Sequence, residues 1–306
     1  MPKYDLTNRV VAITGSTGGL GSALAAALRA KGARLALFDL DLAQVEAQAK
    51  TLGDLSLARG WIANVRSMES LEAAMADAAA HFGHIDVVIA NAGIDTMAPM
   101  ATLNPEAFER VIDINLNGVW RSFRAGLPYV QKRQGYLMGI SSMAAFVHSP
   151  LQASYTSSKA GVWALCDSVR LELQHLGVGV GSVHPTFFPT PMMDDVVADP
   201  AGHALWGGND KGIWKMVSRE SVVRNIVAGI EQRADMVVVP KRNTLIAKAP
   251  GLFRRFIERA GFRGKNIQKA IELASSTGWN LPAERQDGPS GNLDASISPA
   301  TRRSVG

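Results

Sequence analysis

The sequence predicts an α/β fold, a doubly wound parallel sheet with helices on both faces and a C-terminal helical extension. Three observations predict it. Short apolar runs recur at Val10–Ile13, Leu35–Phe38, Val87–Ala90, Gly135–Ile140, Gly179–Val183 and Met236–Val239, with helix-like segments between most of them. Strands alternating with helices build a parallel sheet covered on both sides. A cluster of glycines stands between the first apolar run and an alanine-rich stretch. Finally, 306 residues, 47% of them hydrophobic, suit one α/β domain of about 250 residues with an appendage.

Val10–Ile13 is too short and too β-branched for a helix, whereas Gly21–Ala30 has the alanine and leucine content of one. The glycines therefore occupy a strand-to-helix turn. There Gly15, Gly19 and Gly21 can take positive φ and let the backbone approach a ligand, while the free N–H groups of the helix attract a pyrophosphate. The next strand, Arg34–Phe38, ends at Asp39, where a carboxylate can accept hydrogen bonds from a ribose 2′-hydroxyl. The alternative, that the glycines only allow close helix packing, explains the turn but not the acid. Right-handed crossovers put the turn at the carboxyl edge of the sheet.

Beyond the run Gly135–Ile140, Tyr155 and Lys159 stand four apart, on one face of a helix. Lowering a phenol's pKa by about 3 units requires about 4 kcal/mol of preferential stabilisation of the phenolate. A Lys159 charge and the ring of an oxidised nicotinamide can supply it. Ser142, thirteen residues before Tyr155, ends a strand at the same edge, and its hydroxyl can donate to a substrate carbonyl while Tyr155 exchanges the proton. Ser141 is the alternative for that role, since adjacent strand residues point opposite ways.

With T-G-x-x-x-G-x-G at Thr14–Gly21, "ANAG", "NLNG" and a serine ahead of Y-x-x-x-K, the chain resembles the short-chain dehydrogenase/reductase family over roughly residues 5–240. The resemblance implies a Rossmann-type domain and a catalytic set: Tyr155 as acid/base, Lys159 as its electrostatic partner and ribose ligand, Ser142 as carbonyl polariser and Asn115 as support. That Asn115 only bonds to backbone at a helix irregularity stays open. It also implies a cofactor seat of Gly15, Thr17, Gly19, Leu20, Gly21 and Asp39, then Asn64 and Val65 on the adenine side, with Asn64 replacing the usual acid. Asn91, Ala92, Gly93, Pro185 and Thr190 complete it with Tyr155 and Lys159. One departure bears on the nicotinamide end, where Thr186 follows Pro185 in place of the family's glycine. NAD is the cofactor implied, because Asp39 would repel a 2′-phosphate, Leu40 follows it, and Gly18 stands where many NADP-preferring relatives carry arginine. Asp39 acting only as a turn cap is the alternative.

Composition excludes other classes. A single cysteine, Cys166, allows no internal disulfide and reads as an apolar filler within a helix, and six dispersed histidines form no metal-ligand cluster. No apolar run reaches the roughly 18 residues of a membrane span, and the N-terminus lacks a signal-peptide core, so a cytoplasmic protein is expected. The net charge of +5 arises with basic residues concentrated after Lys241, and no nucleic-acid partner is expected.

In this family the loop after the sixth strand, here about 187–214, closes over the substrate. Phe187, Phe188, Met192, Met193, Trp206 and Trp214, with Met143, Phe146 and Leu151, offer an apolar wall for a bulky alcohol or ketone of steroid, terpenoid, retinoid or fatty-alcohol type. The same residues can equally pack the loop onto the domain. A 3-oxoacyl thioester reductase is the alternative enzyme, opposed by Asp39; a non-catalytic dinucleotide sensor or scaffold is opposed by the intact Ser142, Tyr155 and Lys159.

Residues 1–240 thus form the dinucleotide-binding and catalytic domain, 241–279 a basic, partly helical extension, and 280–306 a polar, disordered tail. Helices around Pro105–Gln131 and Ala153–Gln174 match those that pair in relatives, which implies a homodimer or homotetramer using residues such as Phe108, Val111, Trp163 and Leu165. Gly251–Ala260 reads as an amphipathic helix with Leu252, Phe253, Phe256, Ile257 and Ala260 on one side and Arg254, Arg255 and Arg259 on the other. It either covers a domain edge, the favoured reading, or makes peripheral contact with a membrane.

Overall fold

The computed structural model describes residues 3–210, 212–262 and 264–277. The chain runs β1 (Val10–Thr14), α1 (Gly19–Ala30), β2 (Arg34–Asp39), α2 (Leu42–Leu52), β3 (Ala58–Ile62), α3 (Met68–Phe82) and β4 (Val87–Ala90). Next come α4 (Pro105–Ile112), a π-helical turn at Asp113–Asn117, α5 (Gly118–Lys132), β5 (Tyr136–Ile140), α6 (Ala153–Leu173) and β6 (Gly179–Pro185). They are followed by α7 (Pro191–Ala198), α8 (Pro200–Trp206), α9 (Arg219–Gln232), β7 (Met236–Val239), α10 (Thr244–Lys248), α11 (Pro250–Gly261) and α12 (Gly264–Thr277). Seven parallel strands form one sheet in the order β3-β2-β1-β4-β5-β6-β7. The predicted doubly wound architecture is therefore present, and the strand order reverses between β1 and β4, which opens a crevice at their carboxyl ends.

Alternation along the strands separates two cores. Val11, Ile13, Leu35 and Leu37 meet Leu24 and Leu28 of α1 on one face, whose core also holds Ile226 and Ile230 of α9. Val10, Ala12, Ala36 and Phe38 point to the other face, with Leu71 and Met75 of α3, Phe123 of α5 and Val162 of α6. Each large apolar side chain so buried contributes about 1.5–3 kcal/mol relative to exposure. Helix starts are set by side-chain caps: Asp41 accepts from the Gln44 N–H, Ser67 from Ser70 and Asn104 from Glu106 ahead of Pro105. Cys166 is a buried filler whose thiol is pushed up to about 12 by burial.

β3 was not among the expected strands. Its sequence, ARGWI, mixes buried Ala58, Gly60 and Trp61 with exposed Arg59 and Ile62, as suits an edge strand, and so makes no continuous apolar run.

The C-terminal extension divides in two. α12 packs on α8: Ala270, Ala274 and the preceding Phe262 join Leu205, Trp206 and Met97 in one buried cluster. Phe262 stacks 4.9 Å from Trp214, which meets Phe187 at 6.1 Å between ring centroids. α11, by contrast, buries none of its residues, and Leu252 and Phe256 are 79% and 74% exposed. Its apolar side is divided: Phe253 and Ile257 are half-buried, as in a helix that covers a domain edge, while Leu252 and Phe256 face solvent. Val111 is wholly buried within the protomer and so is no free contact residue, whereas Phe108, Trp163 and Leu165 are half-buried, Trp163 lying 4.9 Å from Phe146. The exposed large side chains on those helices are Trp120 and Leu171. The tail 280–306 lies outside the described residues. Among those described, no helix is long and apolar enough to cross a membrane.

Candidate active site

A cavity of about 530 Å³ occupies the crevice at the carboxyl edge. Every predicted site residue lines it except Gly21 and Asn115. At its centre is the turn between β1 and α1. Gly15 takes φ +64°, and a Cβ there would stand 2.7 Å from the Ala92 Cα. Gly19 and Gly21 are instead in the first turn of α1, so positive φ is confined to Gly15. Gly21 is required by close approach, since a Cβ there would run into the Gly15 carbonyl oxygen. No side chain caps the start of α1, which leaves its N–H end suited to an anionic ligand. Asn91 locks the turn by donating from Nδ2 to the Thr14 and Gly15 carbonyls at 3.1 and 2.8 Å.

Asp39, at the end of β2, lines the same cavity. Its Oδ2 accepts from the backbone N–H and hydroxyl of Thr17 at 2.9 and 2.6 Å, and Oδ1 from the Leu40 N–H at 2.9 Å. The capping of α2 falls to Asp41, not Asp39. Nearby, Asn64 Oδ1 accepts from the Arg66 N–H, and the Arg66 guanidinium is engaged by Asp113 at 2.9 Å.

At the other end α6 presents Tyr155 and Lys159. The Lys159 ammonium donates to the Ile140 carbonyl at 2.9 Å and sits 5.4 Å from the centre of the Tyr155 ring. Both serines line the cavity, but Ser141 is buried with its hydroxyl donating to the Lys159 carbonyl at 2.7 Å, whereas Ser142 is half-buried. Asn115, wholly buried in the π-helical turn, accepts from the Ile94 N–H and donates to the Ile94 carbonyl, each at 2.8 Å, and to the Ser158 hydroxyl at 3.1 Å. Its side chain thus ties the turn to the segment after β4 and does not reach the cavity.

The electrostatics correct one expectation. Burial raises the Tyr155 phenol, the carboxyl of Asp95 adds to that, and hydrogen bonding with Ser142 opposes both. With the chain's own groups the phenol is therefore held protonated, not lowered. Burial brings Lys159 down to about 8, against the pull of Asp95. A bound oxidised nicotinamide would add positive charge that favours the phenolate.

Thr186 continues the sheet edge, its N–H donating to the Val239 carbonyl at 2.8 Å, so extended backbone serves where a glycine is usual. Thr190 caps α7 by accepting from the Met193 N–H at 3.1 Å and lines the cavity. Of the expected apolar wall, Phe187, Phe188, Met143, Met192, Met193 and Trp214 line the cavity. Phe146, Leu151 and Trp206 pack elsewhere: Phe146 is wedged between Trp163 and His184, and the other two lie in the cluster under α12.

Sequence reasoning missed Asp95 and Gln152, two buried polar side chains in the cavity wall. The available signals were an acid directly after the run ending "ANAGI" and an amide three residues before Tyr155.

The profile of the short chain dehydrogenase family matches residues 9–201. The D-threitol dehydrogenase of Mycolicibacterium smegmatis is 32% identical over 207 residues, 67% of this chain and 76% of that protein. The 3beta-hydroxysteroid dehydrogenase 1 of Eggerthella lenta is 31% identical, over 65% of this chain and 78% of its own length. The crystal structure of gox2181 superposes with a TM-score of 0.70 at 25% identity, covering 76% of this chain and 94% of that one.

Proposed function

As the chain belongs to the short-chain dehydrogenase/reductase family, whose dehydrogenases use nicotinamide cofactors, we propose that it transfers a hydride between NAD and a lipophilic, bulky alcohol or ketone. The observation that carries this reading is that one continuous cavity joins the Gly15–Gly19 turn and Asp39 to Ser142, Tyr155 and Lys159. The residues fit the cofactor: an uncapped helix start for the pyrophosphate, a carboxylate fixed by Thr17 for the ribose, and Lys159 beside Tyr155. Bound NAD supplies the hydride acceptor. Ser142 orients the substrate oxygen, Tyr155 takes or gives its proton, and Lys159 stabilises the phenolate and holds the ribose; Asn115 supports the segment beneath. Asp39 disfavours a 2′-phosphate by charge, so NAD is preferred to NADP.

Met143, Phe187, Met192 and Trp214 support a hydrophobic substrate body, as does the likeness to a hydroxysteroid dehydrogenase. Titration with NADH and NADPH, then a cofactor-coupled screen of hydrophobic alcohols and ketones, tests the reading. Tighter binding of NADPH, or turnover confined to hydrophilic substrates, refutes the corresponding part.

The same reading carries a cytoplasmic location and two contacts. Self-association through α5 and α6 is supported by exposed Trp120 and Leu171, and a monomeric mass in light scattering refutes it. α11 docks on an anionic lipid surface: exposed Leu252 and Phe256 enter the headgroup boundary while Arg254, Arg255 and Arg259 meet the phosphates. Failure to bind anionic vesicles at low salt removes that contact.

A further inference from the structure

One buried acid in the cavity has no task in hydride transfer. Asp95 follows β4 and is 8% exposed, with its Oδ1 accepting from the Thr96 N–H at 2.7 Å and its Oδ2 from the Gln152 amide, itself 5% exposed. Both side chains stand in the wall of the cavity that Ser142 and Tyr155 line. A carboxylate offers about four lone-pair directions, and these two bonds fill two of them. A buried acceptor left short of donors is costly, and the open side of this one is the space where substrate sits. The ionisable groups that face it, Tyr155 and Lys159, are both on α6, and Asp95 acts electrostatically on each. Geometry ties it to the phenol's own turn: Gln152, which bonds Asp95, is the residue before α6, and the Thr96 hydroxyl is 2.8 Å from that of Ser154, the neighbour of Tyr155.

Building on the alcohol/ketone reading, we propose that Asp95, oriented by Gln152, accepts a hydrogen bond from a second hydroxyl beside the reacting carbon. The preferred substrate is then a lipophilic vicinal diol, or the corresponding α-hydroxyketone. Adjacent oxygens reach Tyr155 and Asp95 together, which a hydroxyl at the far end of a bulky body does not. A neutral donor fits better than an ammonium, because Lys159 already places positive charge in the same space. Phe187, Met192 and Trp214 take the hydrocarbon part.

The test compares NAD-dependent oxidation of trans-1,2-cyclohexanediol, cyclohexanol and 2-methoxycyclohexanol, the ether keeping the second oxygen but not its proton. At pH 9, where the Asp95 carboxyl is ionised, the diol is expected to exceed the other two in kcat/KM by roughly tenfold or more, as for loss of a hydrogen bond to a charged acceptor. D95N is expected to lower the diol about tenfold more than it lowers cyclohexanol. If D95N does not fold, the wild-type ratio of diol to methyl ether decides alone. Equal kcat/KM for diol and ether overturns the role of Asp95 and leaves the oxidoreductase reading standing. No turnover of any of the three by protein shown to bind NAD overturns both.

Discussion

Two aspartates at opposite ends of β4 are buried alike and behave in opposite ways. Asp86, before the strand, is fully buried; it accepts from the Val10 N–H at 2.9 Å and pairs with Arg9 at 2.7 Å, His84 at 3.0 Å and Arg133 at 3.2 Å. Burial pushes its carboxyl up, but these donors together hold it below the usual range. Asp95, after the strand, has only amide donors at bonding distance among the described residues, and burial pushes it up to about 7 despite the pull of Lys159. Desolvation acts on both, and the supply of cations decides the sign. The amino edge of the sheet thus uses its charges to close the fold, while the carboxyl edge keeps an acid whose charge state a ligand can alter.

Substitutions at each edge break or sharpen that contrast. The largest expected effect is at Tyr155: Tyr155→Phe should lower kcat by about 10²–10⁴-fold, with the melting temperature almost unchanged. Steady-state rates and a thermal melt check it. Asp86→Asn should do the reverse, costing on the order of 3 kcal/mol of stability with activity per folded molecule retained. Denaturant titration measures this, and the loss should shrink as pH falls through the range where wild-type Asp86 takes up its proton.

Asp95→Asn should give the opposite pH dependence. Between pH 4 and 7 the unfolded chain has released the Asp95 proton while the folded protein keeps it, so this group lowers wild-type stability as pH rises. The variant's stability relative to wild type should therefore grow by roughly 2–3 kcal/mol from pH 5 to pH 8, read from cofactor-free melts. The smallest effect is expected at Asp39, where Asp39→Ala should erode the preference for NADH over NADPH by about tenfold, as measured by fluorescence titration.

How far the sequence reached depended on the range of each interaction. The glycine turn and the pair Tyr155 and Lys159 are local patterns, and they are legible. β3 escaped because an edge strand alternates and carries Arg59. The restriction of positive φ to Gly15 depends on where Ala92 passes, and Asn115 is occupied by Ile94 across a π-helical turn, neither of which local spacing encodes. Asp95 and Gln152 meet across 57 residues, so their pairing belongs to the tertiary structure alone. Periodicity found α11 to be amphipathic, but which way its apolar side faces depends on how the rest of the chain packs.

The packing of α12 on α8 bears on how long a product stays. Opening the segment that carries Phe187 and Trp214 means separating Phe262, Ala270 and Ala274 from Leu205 and Trp206, or carrying the last helix along as freight. Exposing such side chains costs on the order of 1–3 kcal/mol for each large one, so the barrier to escape rises with the C-terminal helix in place. Amide exchange in α12 should accordingly slow when substrate is bound, and the traffic through the cavity should be metered by residues that lie beyond the segment matched by the family, 9–201.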